Sequence, residues 1–139
     1  MPCVLWISGD FNTDTLAESI RLKPYKKIEK GEVITTKDGP KKYEHALCGF
    51  DVSNKDFTDF QAMVGDAVSF LETNFNNLQA LAEMQGITAR LDFGYFSTFM
   101  DTKIVAQYDT IPFQLSRLAG NLRIDIELSQ YWHAQPSQG

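Results

Sequence analysis

Residues Cys3 to Ile7 are apolar without interruption, a pattern that suits a strand covered on both faces and places it near the centre of a sheet. Leu16 and Ile20 then stand one helical turn apart. Asn12 or Thr13 can cap that helix, Thr15 and Glu18 have capping-box spacing, and Pro24 limits its length. Val33 to Thr36 and the run from Lys42 to Val52 flank Lys37-Asp38-Gly39-Pro40, where Asp-Gly supplies turn chemistry, so a hairpin is expected. Pro40 should prevent continued pairing. In the longer arm Ala46, Cys48, Phe50 and Val52 share one face, and Tyr43, His45, Leu47, Gly49 and Asp51 share the other.

From Phe57 to Met84 the period changes, with Phe57, Phe60, Val64, Val68, Leu71, Phe75, Leu78 and Ala82 recurring at helical steps. Ser53 or Asp56 is placed to cap the start and Gly86 the end, and the asparagines at 74, 76 and 77 predict a break or kink. Alternation resumes with Ile87, Ala89, Leu91, Phe93 and Tyr95 inward and Thr88, Arg90 and Asp92 outward, followed by a partner strand around Ile104 to Tyr108. Thr110 and Pro112 open a short helix over Phe113, Leu115, Leu118 and Ala119 that Gly120 stops. The last strand sets Leu122, Ile124, Ile126 and Leu128 against Arg123, Asp125 and Glu127.

This order predicts an α+β fold: a mixed or mostly antiparallel sheet of about five or six strands, with one long, breakable helix and two short helices packed on it. It is read as one domain over residues 1–132 with a flexible tail over 133–139. A chain of 139 residues with 43% apolar and 22% charged side chains has enough material for its own core and is not a disordered composition. The first eight residues carry no basic leader, and their apolar run is too short for a signal segment or a membrane span. Cys3 and Cys48 form no CxxC pair and suggest no disulfide framework, so a reducing, cytoplasmic setting is expected.

Charge is unevenly spread. Residues 21–42 hold eight of the thirteen basic residues and only Glu29, Glu32 and Asp38, so this stretch carries +5 and the rest of the chain −10. Lysines spaced through a loop and hairpin can follow phosphates or meet an acidic surface, which makes Lys26, Lys27, Lys30, Lys41 and Lys42 candidate binding residues, with Tyr25 and Tyr43 as stacking groups. A solvated loop and aggregation-blocking edge lysines explain the same pattern, and a pI near 4.9 argues against a general nucleic-acid binder.

No catalytic set assembles in the sequence. His45 and His133 are the two imidazoles, and no nucleophile elbow, zinc-protease helix, phosphate loop or dinucleotide fingerprint accompanies them. His45 and Cys48 lie three apart on a strand and so on opposite faces, which does not suit one metal ion. Asp125 and Glu127 share a face and could act as paired carboxylates or hold a cation, but Arg123 beside them favours a charge pattern across strands. No catalytic residue, metal or cofactor is assigned. Phe93, Tyr95, Phe96, Phe99 and Met100, interrupted by Gly94, are too many aromatic and apolar groups for one face. Tyr95, Phe96 and Phe99 are therefore candidates for a partner or homodimer contact, against a bulged strand whose loop folds over the core.

Thr15-Leu16, then Ile20-Arg21-Leu22-Lys23-Pro24 leading to Gly31, and the closing Leu115-Ser116-Arg117-Leu118-Ala119-Gly120-Asn121-Leu122-Arg123-Ile124-Asp125-Ile126-Glu127 resemble a bacterial family of small domains of unknown function, the one numbered 4279. The likeness covers most of the chain and rests on structural motifs. It implies a fold and a bacterial or phage setting, and no activity. The leading expectation is a cytoplasmic protein-protein interaction module with an unidentified protein partner, neutralising a toxin or other effector in the manner of an immunity protein. The alternative is a small-ligand or nucleotide sensor with a pocket between sheet and long helix, taking an anionic group at the basic hairpin. Enzymatic chemistry is the least expected.

Overall fold

Strand β1 (Cys3–Gly9) lies at the centre of a five-stranded sheet in a computed structural model that describes residues 2–97 and 106–131. Helix α1 (Thr13–Ile20) follows, capped by Asn12, whose Oδ1 accepts from the Thr15 amide at 3.0 Å, and it ends at Arg21 in the left-handed region with φ 54°. Next come β2 (Lys26–Ile28), β3 (Val33–Thr36), β4 (Gly39–Lys42) and β5 (Ala46–Ser53). Two helices, α2 (Phe60–Thr73) and α3 (Phe75–Glu83), lead to β6 (Ile87–Phe96), α4 (Phe113–Asn121) and β7 (Asp125–Tyr131). The sheet order is β2-β5-β1-β6-β7, with β6 and β7 parallel and every other pair antiparallel. The α+β class and the mixed sheet agree with the periodicity of the sequence.

Alternation along β1 sends Cys3, Leu5 and Ile7 to one face, where Phe50 of β5 and Leu91 and Phe93 of β6 join them. All four described helices deliver their buried residues to that face: Leu16 and Ile20, Met63 and Leu71, Leu78, and Leu115. The Phe60 ring packs between Tyr95 at 4.7 Å and Phe93 at 5.6 Å.

The hairpin differs from expectation. β3 pairs with β4 in a separate two-stranded sheet across Lys37-Asp38, while the run after His45 becomes β5 and pairs with β1 and β2. Pro40 does not block pairing, because it sits opposite Thr35 in a two-stranded ribbon where a missing amide N–H goes unnoticed on the outer side. Gly39, at φ 104°, takes the turn position a side chain would resist.

The predicted helical break falls at Asn74, whose backbone N and side-chain Nδ2 both donate to the Phe70 carbonyl, at 3.0 and 2.9 Å. Asp59, rather than Ser53 or Asp56, caps α2 by accepting from the Ala62 amide at 3.1 Å. Ser53 is buried and donates to Asp66 instead. Gly120 does not stop α4, which continues to Asn121; the reversal comes at Arg123 with φ 57°, so β7 begins at Asp125 and Leu122 and Ile124 are buried in the turn. Of the expected strand over residues 104–108, the first two positions lie outside the described residues and the rest are not in a strand; β7 takes the place beside β6. No described helix is long and apolar enough to cross a membrane.

Both cysteines are free and fully buried. Burial, with Glu29 adding to it, pushes the Cys48 thiol up to about 11, and burial followed by Asp92 and Asp51 pushes Cys3 higher still. Each thiol ionises more easily in the unfolded chain, so its contribution to stability is in place below the ordinary value of about 9 and is lost as pH rises past it. Because the thiolate is the reactive form, an aromatic disulfide reagent at pH 8 should label neither cysteine in buffer and both in denaturant. Rapid labelling of either in the native protein would contradict this packing.

Candidate functional site

The second face of β1 carries Val4, Trp6 and Ser8, and none of the four described helices packs there. Register extends it sideways: Lys26, Gly49, Trp6, Arg90 and Asp125 lie in one row across all five strands. A neighbouring row holds Asp51, Val4, Asp92 and Glu127. Among the described residues these two rows therefore present four carboxylates and two cations around Trp6.

Trp6 lies flat over Gly49, so closely that a Cβ there would sit 2.6 Å from Cζ3 of the indole. The Tyr25 ring stands beside it, centroids 6.0 Å apart and planes at 57°, and the Tyr25 amide donates to the Gly49 carbonyl at 2.9 Å. Tyr25 is 46% exposed, and partial burial followed by the charges of Asp51 and Asp92 raises its hydroxyl above the ordinary value. Arg90 Nε stands 3.2 Å from Glu127 Oε2 but is not aligned to donate to it, leaving a buried N–H without a hydrogen-bond acceptor among the described residues. Asp92 accepts from the Ser129 hydroxyl at 2.5 Å. Glu127 thus meets Arg90, which Asp125 faces in register, rather than Arg123, which stands in the preceding turn.

The five candidate lysines do not form one patch. Lys26 is exposed at the edge of the Trp6 row. Lys27 turns to the other side and pairs with Asp14 at 2.9 Å, and Lys30 pairs with Asp10 at 3.3 Å. Lys41 sits 4.8 Å above the Tyr43 ring, and Lys42 is exposed without an ion pair among the described residues. Asp10 also lies 3.2 Å from Nδ1 of His45, and its carboxyl is held below the usual range by His45 and then Lys30.

Between the β3–β4 ribbon and the end of the helix-free face lies a cleft of about 430 Å³, bordered by Ser8, Lys41, Lys42, Tyr43, Glu44, His45 and Leu47. A second cleft of about 480 Å³ opens across Lys42 and Tyr43 toward Lys30 and Gly31. Neither is lined by α2 or α3, so neither is the sheet-to-helix pocket expected from the sequence.

The aromatic cluster divides. Tyr95 is only 2% exposed and packs on Phe60, with its hydroxyl accepting from Gln130, which removes it from any contact surface. Phe96 is half-buried against Phe57 at 5.4 Å, and the Phe57 ring meets Tyr131 edge-on at 6.5 Å. Phe99, Met100 and His133 lie outside the described residues. His45 is exposed beside Asp10, whereas the Cys48 thiol is buried facing the Thr13 carbonyl at 3.9 Å, so the two do not converge.

The Trp6–Tyr25 pair escaped sequence reasoning because Trp6 sits inside an apolar run; the available signal was Gly49, a glycine inside a strand, which marks a close approach. No protein-family profile, curated protein or solved structure matches the chain. The resemblance noted above rests on its quoted residues alone.

With Trp132→Phe making Trp6 the sole tryptophan, Gly49→Val should lift the indole off the sheet, shift its emission to longer wavelength and cost about 1–3 kcal/mol in urea unfolding. An unchanged spectrum would contradict the stacking of Trp6 on Gly49.

Proposed function

We propose that this chain is a protein-binding module that presents the helix-free face of its sheet to a partner with a basic surface. The observation that carries this reading is the Trp6–Tyr25 pair standing beside Gly49 in the middle of that face. Large amphipathic rings held in place by a strand lose little freedom on binding, and such residues supply much of the affinity at protein interfaces. Around them Asp51, Asp92, Asp125 and Glu127 outnumber Lys26 and Arg90, so the face is net acidic, as is the whole chain at −5. Acidic groups of this kind speed encounter with a basic partner and exclude acidic ones.

The finer form of the proposal is neutralisation of a basic toxin or other effector in a bacterial or phage cytoplasm, in the manner of an immunity protein. Such a protein acts by covering its target and needs no reactive groups of its own.

Quantitative affinity capture from a lysate of the source cells tests the reading. The wild-type chain should retain a basic protein that Trp6→Ala or Asp51→Lys loses by about tenfold or more, while Lys27→Gln retains it unchanged. Equal capture by wild type, Trp6→Ala and Asp51→Lys would overturn it.

A further inference from the structure

We propose that the cleft between the β3–β4 ribbon and the sheet binds the phosphate group of a small phosphomonoester. This site is separate from the protein-binding reading: it uses Ser8 and Leu47 at the end of the helix-free face, and neither Trp6, Tyr25 nor the four carboxylates of that face.

Polar groups along the basic segment differ in whether they are already engaged. Along the basic segment Lys27 is satisfied by Asp14 and Lys30 by Asp10, so both are locally neutralised. At the cleft the opposite holds. Lys42, Ser8 and the Tyr43 hydroxyl make no side-chain hydrogen bond or ion pair among the described residues, and Lys41 engages only the Tyr43 ring. His45 borders the cleft too, with its Nδ1 engaged by Asp10 at 3.2 Å.

These donors are brought together by the fold. The residues from Lys41 to Tyr43 supply two ammonium groups and a phenol to the border of the cleft, and β1 adds the Ser8 hydroxyl. Two lysines, a phenol and a hydroxyl bordering one cleft suit the three terminal oxygens of a phosphate ester better than the two of a carboxylate. Glu44 opposes one of the two ammonium charges, which leaves room for one phosphate and disfavours a second. The cleft, at about 430 Å³, falls within the roughly 300–1,000 Å³ of ligand sites, so it can accept an organic body beyond the phosphate, with Leu47 as an apolar wall.

Amide-resolved NMR titration of the whole chain with phenyl phosphate and with inorganic phosphate, at fixed ionic strength made up with chloride, tests this. Saturable shifts should centre on Ser8 and on residues 41–47, with phenyl phosphate the tighter of the two. Lys42→Gln should weaken binding about tenfold, Lys41→Gln should also weaken it, and Lys27→Gln should change it less than about twofold. The altered side chains are exposed, and circular dichroism of each variant should match that of the wild type. Non-saturating shifts, shifts centred instead on Asp14 and Lys27, or wild-type affinity in Lys42→Gln would each overturn the proposal.

Discussion

Pairing of β1 on both of its edges is the constraint from which the other features follow. With β5 on one side and β6 on the other, every residue from Cys3 to Gly9 has a partner in both neighbouring strands. Strict alternation then assigns Leu5 and Ile7 to the core and Trp6 and Ser8 to the opposite face, and a one-residue slip would exchange them. The helices contribute to this by covering only one side. Their apolar stripes meet Leu5, Phe50, Leu91 and Phe93, and no described helix remains to cover Trp6.

A face without helices at the centre of a sheet, where Val4 is buried but Trp6 stays partly exposed, must be compatible with water or with a partner. Here compatibility with water comes from the charges of the flanking strands and from the smallness of Gly49, which lets the indole lie against the backbone and hide one of its sides. The ribbon formed by β3 and β4 adds a wall at one end of that face, and the cleft follows from this wall. The same basic segment that looked continuous in the sequence is thereby divided between lysines in ion pairs with Asp10 and Asp14 and lysines at the cleft with no ion pair among the described residues.

What could be seen in the sequence was what depends on local periodicity. The uninterrupted apolar run of β1, the alternation of β6 and the asparagine-marked break between α2 and α3 all act over a few residues, and all are present in the fold. Features that depend on distant pairing were hidden. Nothing in Val33–Thr36 shows that it pairs with Gly39–Lys42 rather than with the strand after it, and nothing near Asp125 shows that β7 runs parallel to β6. The sites divide the same way. Lysines could be identified by type, yet whether each meets Asp10, Asp14, a tyrosine ring or solvent is decided by residues far along the chain. Tyr95 and Phe96 are neighbours in sequence, and alternation alone places one in the core and the other on the opposite face.

The central claim is that β1 has a core side and a binding side, and the most direct test compares adjacent substitutions, Leu5→Ala and Trp6→Ala, by urea unfolding. Leu5 is fully buried, so its truncation should cost about 2–5 kcal/mol. Trp6→Ala removes a larger side chain but one that lies on the helix-free face, and it should cost less than Leu5→Ala. If Trp6→Ala proves the more damaging, the face that carries it is part of the core, and the account of an uncovered binding surface is wrong.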